Sequence, residues 1–171
     1  MIGYRAPCFS LDRERLDLVE KSGFEYDSSR IDFSMHPLYG TIKMDDYLAL
    51  SNNIFRKNNF FEFQVSTLSM LKRTIPVSGG GYIRIFPWII MKRLVQKYIM
   101  NNDLYILYIH PFELSNRNTP SVPDSTSWKT KFRFGYGRDS VSNKINLLIR
   151  LLKDNGYQFV TFSELKTKLL D

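Results

Sequence analysis

Apolar positions along the chain change period repeatedly, from continuous runs to stripes three and four residues apart. Ile2-Gly3-Tyr4 is a short apolar run that stops at Arg5-Ala6-Pro7 and predicts a strand over 2–5 that ends in a loop. Ser10 in a capping position, Asp12 and Glu14 at the start and Gly23 at the end predict a helix over 11–22. Phe24 to Asp27 and Phe60 to Val65 read as further strands. Pro87 suits the first turn of a helix that runs to about Asn101. Leu104 to Ile109 is apolar without a break, as in a strand buried on both faces of a parallel sheet. A long loop over 110–140 follows. Ile145, Leu148, Ile149 and Leu152 then mark one face of a helix that Asn155-Gly156 stops. Tyr157 to Phe162 reads as a strand, and Ser163 caps a closing helix with Glu164 in its first turn. Strands alternating with helices predict an α/β fold with a mainly parallel sheet. In such sheets chemistry gathers beyond the carboxyl ends of the strands, and that rule singles out Arg5, Asp27 and His110.

Composition and the wider sequence sharpen this picture in five ways. The 171 residues suit a single domain over 1–171. The aromatic share of 15% points to a rigid core, a ring-lined cleft, or both. Cys8 is the one cysteine, which excludes an internal disulfide. No signal peptide or apolar run long enough for a membrane span is evident, so a cytoplasmic location is expected. The net charge of +7 favours acidic partners in general. Its most suggestive stretch is Trp128 to Arg138, where cations and rings interleave. That stretch could serve single-stranded nucleic acid, but its alternation fits a strand or loop with rings inward and cations outward better.

Three positions carry candidate chemistry. His110 closes the most apolar run, where an imidazole has the chemistry of a general acid or base, or simply of a hydrogen-bonded strand end. Glu113, three residues on, is a candidate to orient its ring. Asp27, followed by Ser28-Ser29, could pair with Arg5 or hold a histidine, but an Asx-turn at a strand end suits an isolated Asp better. Arg5 is stiffly placed before Ala6-Pro7, where a guanidinium commonly steadies a carboxylate. Pro76 to Tyr82 holds three consecutive glycines but lacks the pattern of a phosphate loop. His36, His110, Cys8 and nearby aspartates show no metal-ligand spacing.

Taken in order, Gly3-Tyr4-Arg5-Ala6-Pro7, Gly23-Phe24-Glu25-Tyr26-Asp27-Ser28-Ser29, Pro76-Val77-Ser78-Gly79-Gly80-Gly81-Tyr82-Ile83-Arg84 and Tyr108-Ile109-His110-Pro111-Phe112-Glu113 resemble one family. It is the NodB-homology polysaccharide deacetylases, in the branch that carries a C-terminal extension and occurs with exopolysaccharide loci. The resemblance covers residues 2 to about 165. It implies an incomplete or distorted (β/α) barrel with mainly parallel strands. The implied activity is hydrolysis of N-acetyl groups on the amino sugars of a polysaccharide or oligosaccharide, with zinc or another divalent metal in the complete enzyme. Carried over, Arg5 matches the arginine that orients the catalytic-base aspartate, Asp27 the aspartate of the fourth motif, and His110 the histidine that protonates the leaving amine. Tyr108 stands beside the acetyl methyl where the family often has Leu, and Tyr82, Arg84 and Trp88 are further candidates for sugar contact.

In that family the catalytic base and the metal ligands lie upstream of the arginine motif, at which this sequence starts. The expectation is a C-terminal portion that binds no metal alone, needs an N-terminal half, and has little or no activity by itself. Without a metal to bring bound water from a pKa of about 15.7 toward 7, amide hydrolysis lacks a strong nucleophile. The alternatives are a non-catalytic glycan-binding protein and, less favoured, a nucleic-acid binder.

Overall fold

A computed structural model describes residues 1–33, 39–40, 42–70, 73–115, 123 and 125–170. The elements in chain order are β1 (Gly3–Tyr4), α1 (Arg13–Lys21), β2 (Tyr26–Asp27), β3 (Leu48–Ser51), β4 (Ile54–Lys57), β5 (Phe60–Phe63), β6 (Thr67–Met70) and β7 (Arg73–Pro76). They continue with α2 (Gly80–Ile85), α3 (Trp88–Ile99), α4 (Pro111–Leu114), α5 (Trp128–Gly135), α6 (Val141–Asp154) and α7 (Phe162–Leu170).

Five strands form one sheet in the order β1-β2-β5-β4-β3, and β6 and β7 form a separate hairpin. Only β1 with β2 and β2 with β5 pair in parallel; β5, β4 and β3 are an antiparallel meander. The expected (β/α) barrel with mainly parallel strands is therefore overturned: the described sheet is mixed and open. The physical cause lies in two Asn-Asn dipeptides. Asn52-Asn53 and Asn58-Asn59 close two-residue hairpins, and Asn58 takes the left-handed conformation such turns favour, φ 53°. A chain reversed by tight hairpins cannot make the crossovers that parallel neighbours need.

The two apolar runs expected as strands near the end are extended but carry no ladder. Leu104 to Ile109 is tied at single points: the Ile106 amide donates to Ser66 Oγ (2.8 Å), the Tyr108 amide to the Ser78 carbonyl (2.9 Å), and the Tyr98 hydroxyl to the Leu104 carbonyl (2.9 Å). Tyr157 to Val160 leads directly into α7, whose cap is Thr161 rather than Ser163. Glu164 accepts from the Thr161 amide at 2.6 Å and donates its own amide to Thr161 Oγ1 at 3.2 Å, a capping box. In α1 the cap is likewise Asp12 rather than Ser10, accepting from the Arg15 amide at 2.9 Å.

β5 is buried along its length and divides two cores. Phe60 packs with Leu11, Leu16 and Tyr47 beneath α1. Phe61 and Phe63 pack on the other face with Ile106, Phe162, Leu165 and Leu169. A third core joins α3 and α6 through Met91, Val95, Leu148 and Leu152. No helix among the described residues is long and apolar enough to cross a membrane.

Candidate active site

The parallel strands β1, β2 and β5 end side by side, and the chain leaving each end supplies a charged or polar group. Beyond β1, Arg5 donates from Nε to the Ser28 carbonyl (2.8 Å) and from Nη2 to Ser28 Oγ (2.5 Å). Ser28 Oγ in turn donates to the Phe63 carbonyl at 2.6 Å, locking the ends of β1, β2 and β5 together. The guanidinium therefore bonds Ser28 and acts on Asp27 through space. Asp27, fully buried, accepts instead from Ser29 Oγ (2.7 Å and 2.5 Å), which itself accepts the Ala6 amide at 2.8 Å. Burial pushes the Asp27 carboxyl up to about 6, against the Ser29 hydroxyl, the Ser28 and Ser29 amides and Arg5, which all favour its ionised form. The same burial lowers the Arg5 guanidinium, opposed by Asp27 and Glu62.

Glu62 is the group that sequence reasoning missed. It sits opposite Asp27 in the β2–β5 register and is also fully buried. Burial raises its carboxyl well above the usual range, and the neighbouring Asp27 raises it further. Its signal in the sequence is a lone carboxylate among three phenylalanines in Phe60-Phe61-Glu62-Phe63.

The 3₁₀ turn Pro7–Phe9 follows Arg5 with two successive non-glycine residues in left-handed conformation, Cys8 (φ 53°) and Phe9 (φ 52°). Each such residue costs on the order of 1 kcal/mol and persists only where its surroundings enforce it. Here the Phe9 ring is wedged edge-on between Tyr39 (5.3 Å) and Tyr108 (4.8 Å), and its carbonyl accepts the Gly40 amide at 2.8 Å.

Tyr108 joins the two sides of the site. Arg5 lies 5.9 Å from its ring centroid. Its hydroxyl meets Nε2 of His110, whose exposed ring stands edge-on to it at 4.8 Å. Burial raises the Tyr108 phenol to about 12, so it enters this contact protonated. Glu113 does not orient the imidazole; its Oε2 accepts the His110 backbone amide at 3.0 Å and fixes the start of α4. Arg138 clamps the far end of α4, donating to the Phe112 (3.2 Å) and Ser115 (2.9 Å) carbonyls.

The structure divides the sugar-contact candidates. Tyr82 faces the same aromatic wall, edge-on to Phe33 at 5.9 Å and beside Gly79 and Tyr108. Arg84 is buried with its guanidinium 5.9 Å from the Phe112 ring, and Trp88 packs half-buried on the α3–α6 core. Those two are placed as structural residues rather than cleft walls. His36 lies outside the described residues. The Trp128–Arg138 stretch, expected as a strand or loop with rings inward, is helical over Trp128–Gly135. Its stripe Trp128, Phe132 and Tyr136 is 72%, 46% and 51% exposed, with the last two rings stacked at 4.5 Å.

Together, Arg5, Tyr108 and His110 lie in one line among the rings of Phe9, Tyr39 and Phe112, with the buried Asp27 and Glu62 acting on Arg5. A divalent metal does not fit them. Among the described residues no three His, Cys, Asp or Glu side chains converge to hold one, and Asp27 is already enclosed by the serine donors.

A protein family described as "Domain of unknown function (DUF3473)" matches residues 28–166. No curated protein and no solved structure compared with the chain matches it.

Proposed function

The chain belongs to the DUF3473 family, and on that premise we propose that it carries the acid-bearing side of a carbohydrate de-N-acetylase site. The observation that supports this reading most is the line Arg5–Tyr108–His110, which brings Arg5 from the start of the chain to a tyrosine and histidine distant from it in sequence. Aromatic walls suit sugar rings, whose C–H faces stack on them, and an imidazole at the rim suits a departing amine.

In this reading water adds to the acetyl carbonyl and the carbon–nitrogen bond of the tetrahedral adduct then breaks. The bonding pair stays on nitrogen, His110 donates the proton that turns it into a free amine, and acetate leaves. Tyr108 holds the imidazole through its hydroxyl and shapes the space beside the acetyl methyl. Arg5, anchored on Ser28, presents positive charge toward the cleft and orients an incoming carboxylate base. By the resemblance to NodB-homology deacetylases, a carboxylate base and a water-activating metal would complete the reaction.

The test is a titration of N-acetylated chito-oligosaccharide into the 171-residue chain, followed by NMR at the His110 and Tyr82 rings. Saturable shifts, weaker with the de-acetylated oligomer, are expected; no saturable shift sinks the reading. Wherever acetate release is measured, its loss in His110→Ala supports His110 as the acid, and release unchanged in that variant removes it from that role. A second reading, glycan binding without catalysis, draws on the exposed Trp128-Phe132-Tyr136 stripe. It predicts tight oligosaccharide binding that His110→Ala leaves unchanged.

A further inference from the structure

A strand made of phenylalanines has no packing reason to include a carboxylate, and an unpaired charge buried there costs several kcal/mol. Glu62 is nonetheless placed in β5, and its surroundings are lopsided. Oε1 accepts the Arg30 amide at 2.8 Å. Oε2 is buried with no hydrogen-bond partner among the described residues. Neighbouring strands lie about 4.8 Å apart, and register partners in a parallel pair project to the same face. Asp27 and Glu62 are such partners. Two negative charges at that separation, both shut away from water, repel strongly.

The donors are distributed unequally between them. The Ser29 hydroxyl lies within hydrogen-bond reach of both Asp27 oxygens (2.7 Å and 2.5 Å); Glu62 receives one amide, on Oε1 alone. The nearby cations do not correct the imbalance. Arg5 spends its bonds on Ser28, while Arg30 donates from Nε to the Ile42 carbonyl (3.3 Å) and lies 4.6 Å from the Phe55 ring. Tyr47, the remaining titratable neighbour, has its phenol pushed further from ionisation by burial and by Glu62. A donor within reach of both oxygens suits a carboxylate; an oxygen with no donor suits a carboxylic acid.

We propose that Asp27 and Glu62 form one proton-sharing carboxyl pair in which Asp27 carries the charge and Glu62 the proton. Glu62 is thereby a positioning residue. Arg30 is also met by Asp32, whereas Arg5, with Glu62 protonated, is opposed from this pair by the single charge of Asp27. Arg5 can then attract an anionic group arriving in the cleft, such as a carboxylate, instead of being neutralised from below.

The experiment is side-chain carboxyl NMR against pH on wild type, Asp27→Asn and Glu62→Gln. Glu62 is expected in its protonated form at pH 7. Asp27→Asn should lower the Glu62 midpoint by about one pH unit or more, while Glu62→Gln, the neutral isostere, leaves the Asp27 midpoint within about half a unit. A merely structural Glu62 would show no such one-sided coupling. Ionised Glu62 at pH 7, or a Glu62 midpoint unmoved by Asp27→Asn, overturns the pair. Should Asp27→Asn not fold, the wild-type protonation state alone decides. Since the readout is a titration, its failure leaves the de-N-acetylase reading standing, and failure of glycan binding leaves the pair standing.

Discussion

Gly80 stands directly against the carboxylate of Glu113, so that a Cβ at position 80 would overlap Glu113 Oε2. Its amide also donates to the Tyr108 carbonyl at 2.8 Å. The glycine-rich segment thus lets α2 start in contact with the residues that frame His110. Gly80→Ala is expected to push the buried carboxylate off the His110 amide and to destabilise the chain by about 1–3 kcal/mol, the cost of an orphaned buried group. Gly81 has nothing within reach of an added Cβ and lies inside α2. Gly81→Ala should stabilise by about 0.5–1 kcal/mol. Urea unfolding of the two variants checks both; equal effects would deny the contact.

The buried carboxyls give stability a defined pH dependence. A carboxyl with its midpoint raised in the folded chain holds its proton there while the unfolded chain, with midpoints near about 4, has lost it. Stability therefore falls as pH rises from about 4 through about 6, because the folded state binds more protons over that window. Asp27 alone accounts for on the order of 2–3 kcal/mol of this fall. Asp46, held low by Arg13 and Lys57, loses its contribution only at more acid pH and does not mask the effect. Urea midpoints at intervals from pH 4.5 to 7 should decline in wild type and decline less steeply in Asp27→Asn, where Glu62 alone still holds its proton. A rising wild-type curve would contradict the burial.

The α5 stripe separates glycan from nucleic acid. Trp128 and Tyr136 are exposed, so replacing either by Ala should change stability by less than about 0.5 kcal/mol. Oligosaccharide affinity is expected to drop several-fold in both variants and to change little between low and high salt. A steep loss of affinity with salt for single-stranded DNA or RNA, carried by the same residues, would favour the nucleic-acid reading instead.

What the sequence discloses depends on whether a signal is local. Arg5 and Asp27 are legible because each stands where a strand of the parallel pair stops, and strand ends are where open sheets gather polar groups. His110 likewise follows an apolar run, though that run is extended without a ladder. Helices α3 and α6 are legible from Pro87 and from the Ile145-Leu148-Ile149-Leu152 face. Glu62 is not, because its face of β5, shared with Phe60, is buried by residues distant in sequence such as Leu11, Leu16 and Tyr47. The meander was written in Asn52-Asn53 and Asn58-Asn59, yet Leu48-Ala49-Leu50 alternates too weakly to declare strands around them. In Trp128 to Arg138 two periods coexist: rings and cations alternate as in a strand, while Trp128, Phe132 and Tyr136 recur every fourth residue as in a helix. The Ser127 cap, accepting the Thr130 amide, favours the helix.

Arg5 allows geometry and charge to be separated. Its planar fork satisfies the Ser28 carbonyl and hydroxyl at once, and through Ser28 it joins the ends of three strands. A lysine keeps the charge but cannot make both bonds from one rigid plane. Arg5→Lys should therefore destabilise by about 1–3 kcal/mol while leaving the Asp27 midpoint close to its wild-type value. Arg5→Met removes the charge as well, and because Arg5 favours ionised Asp27, the Asp27 midpoint should then rise above about 6. Carboxyl NMR read beside urea unfolding distinguishes the two effects. If Arg5→Lys raises the Asp27 midpoint as far as Arg5→Met does, the guanidinium acts through the placement of Ser28 and Ser29 around Asp27 and not through its charge. If neither variant moves it, the serine donors alone hold the Asp27 charge and Arg5 serves only to fasten the strand ends.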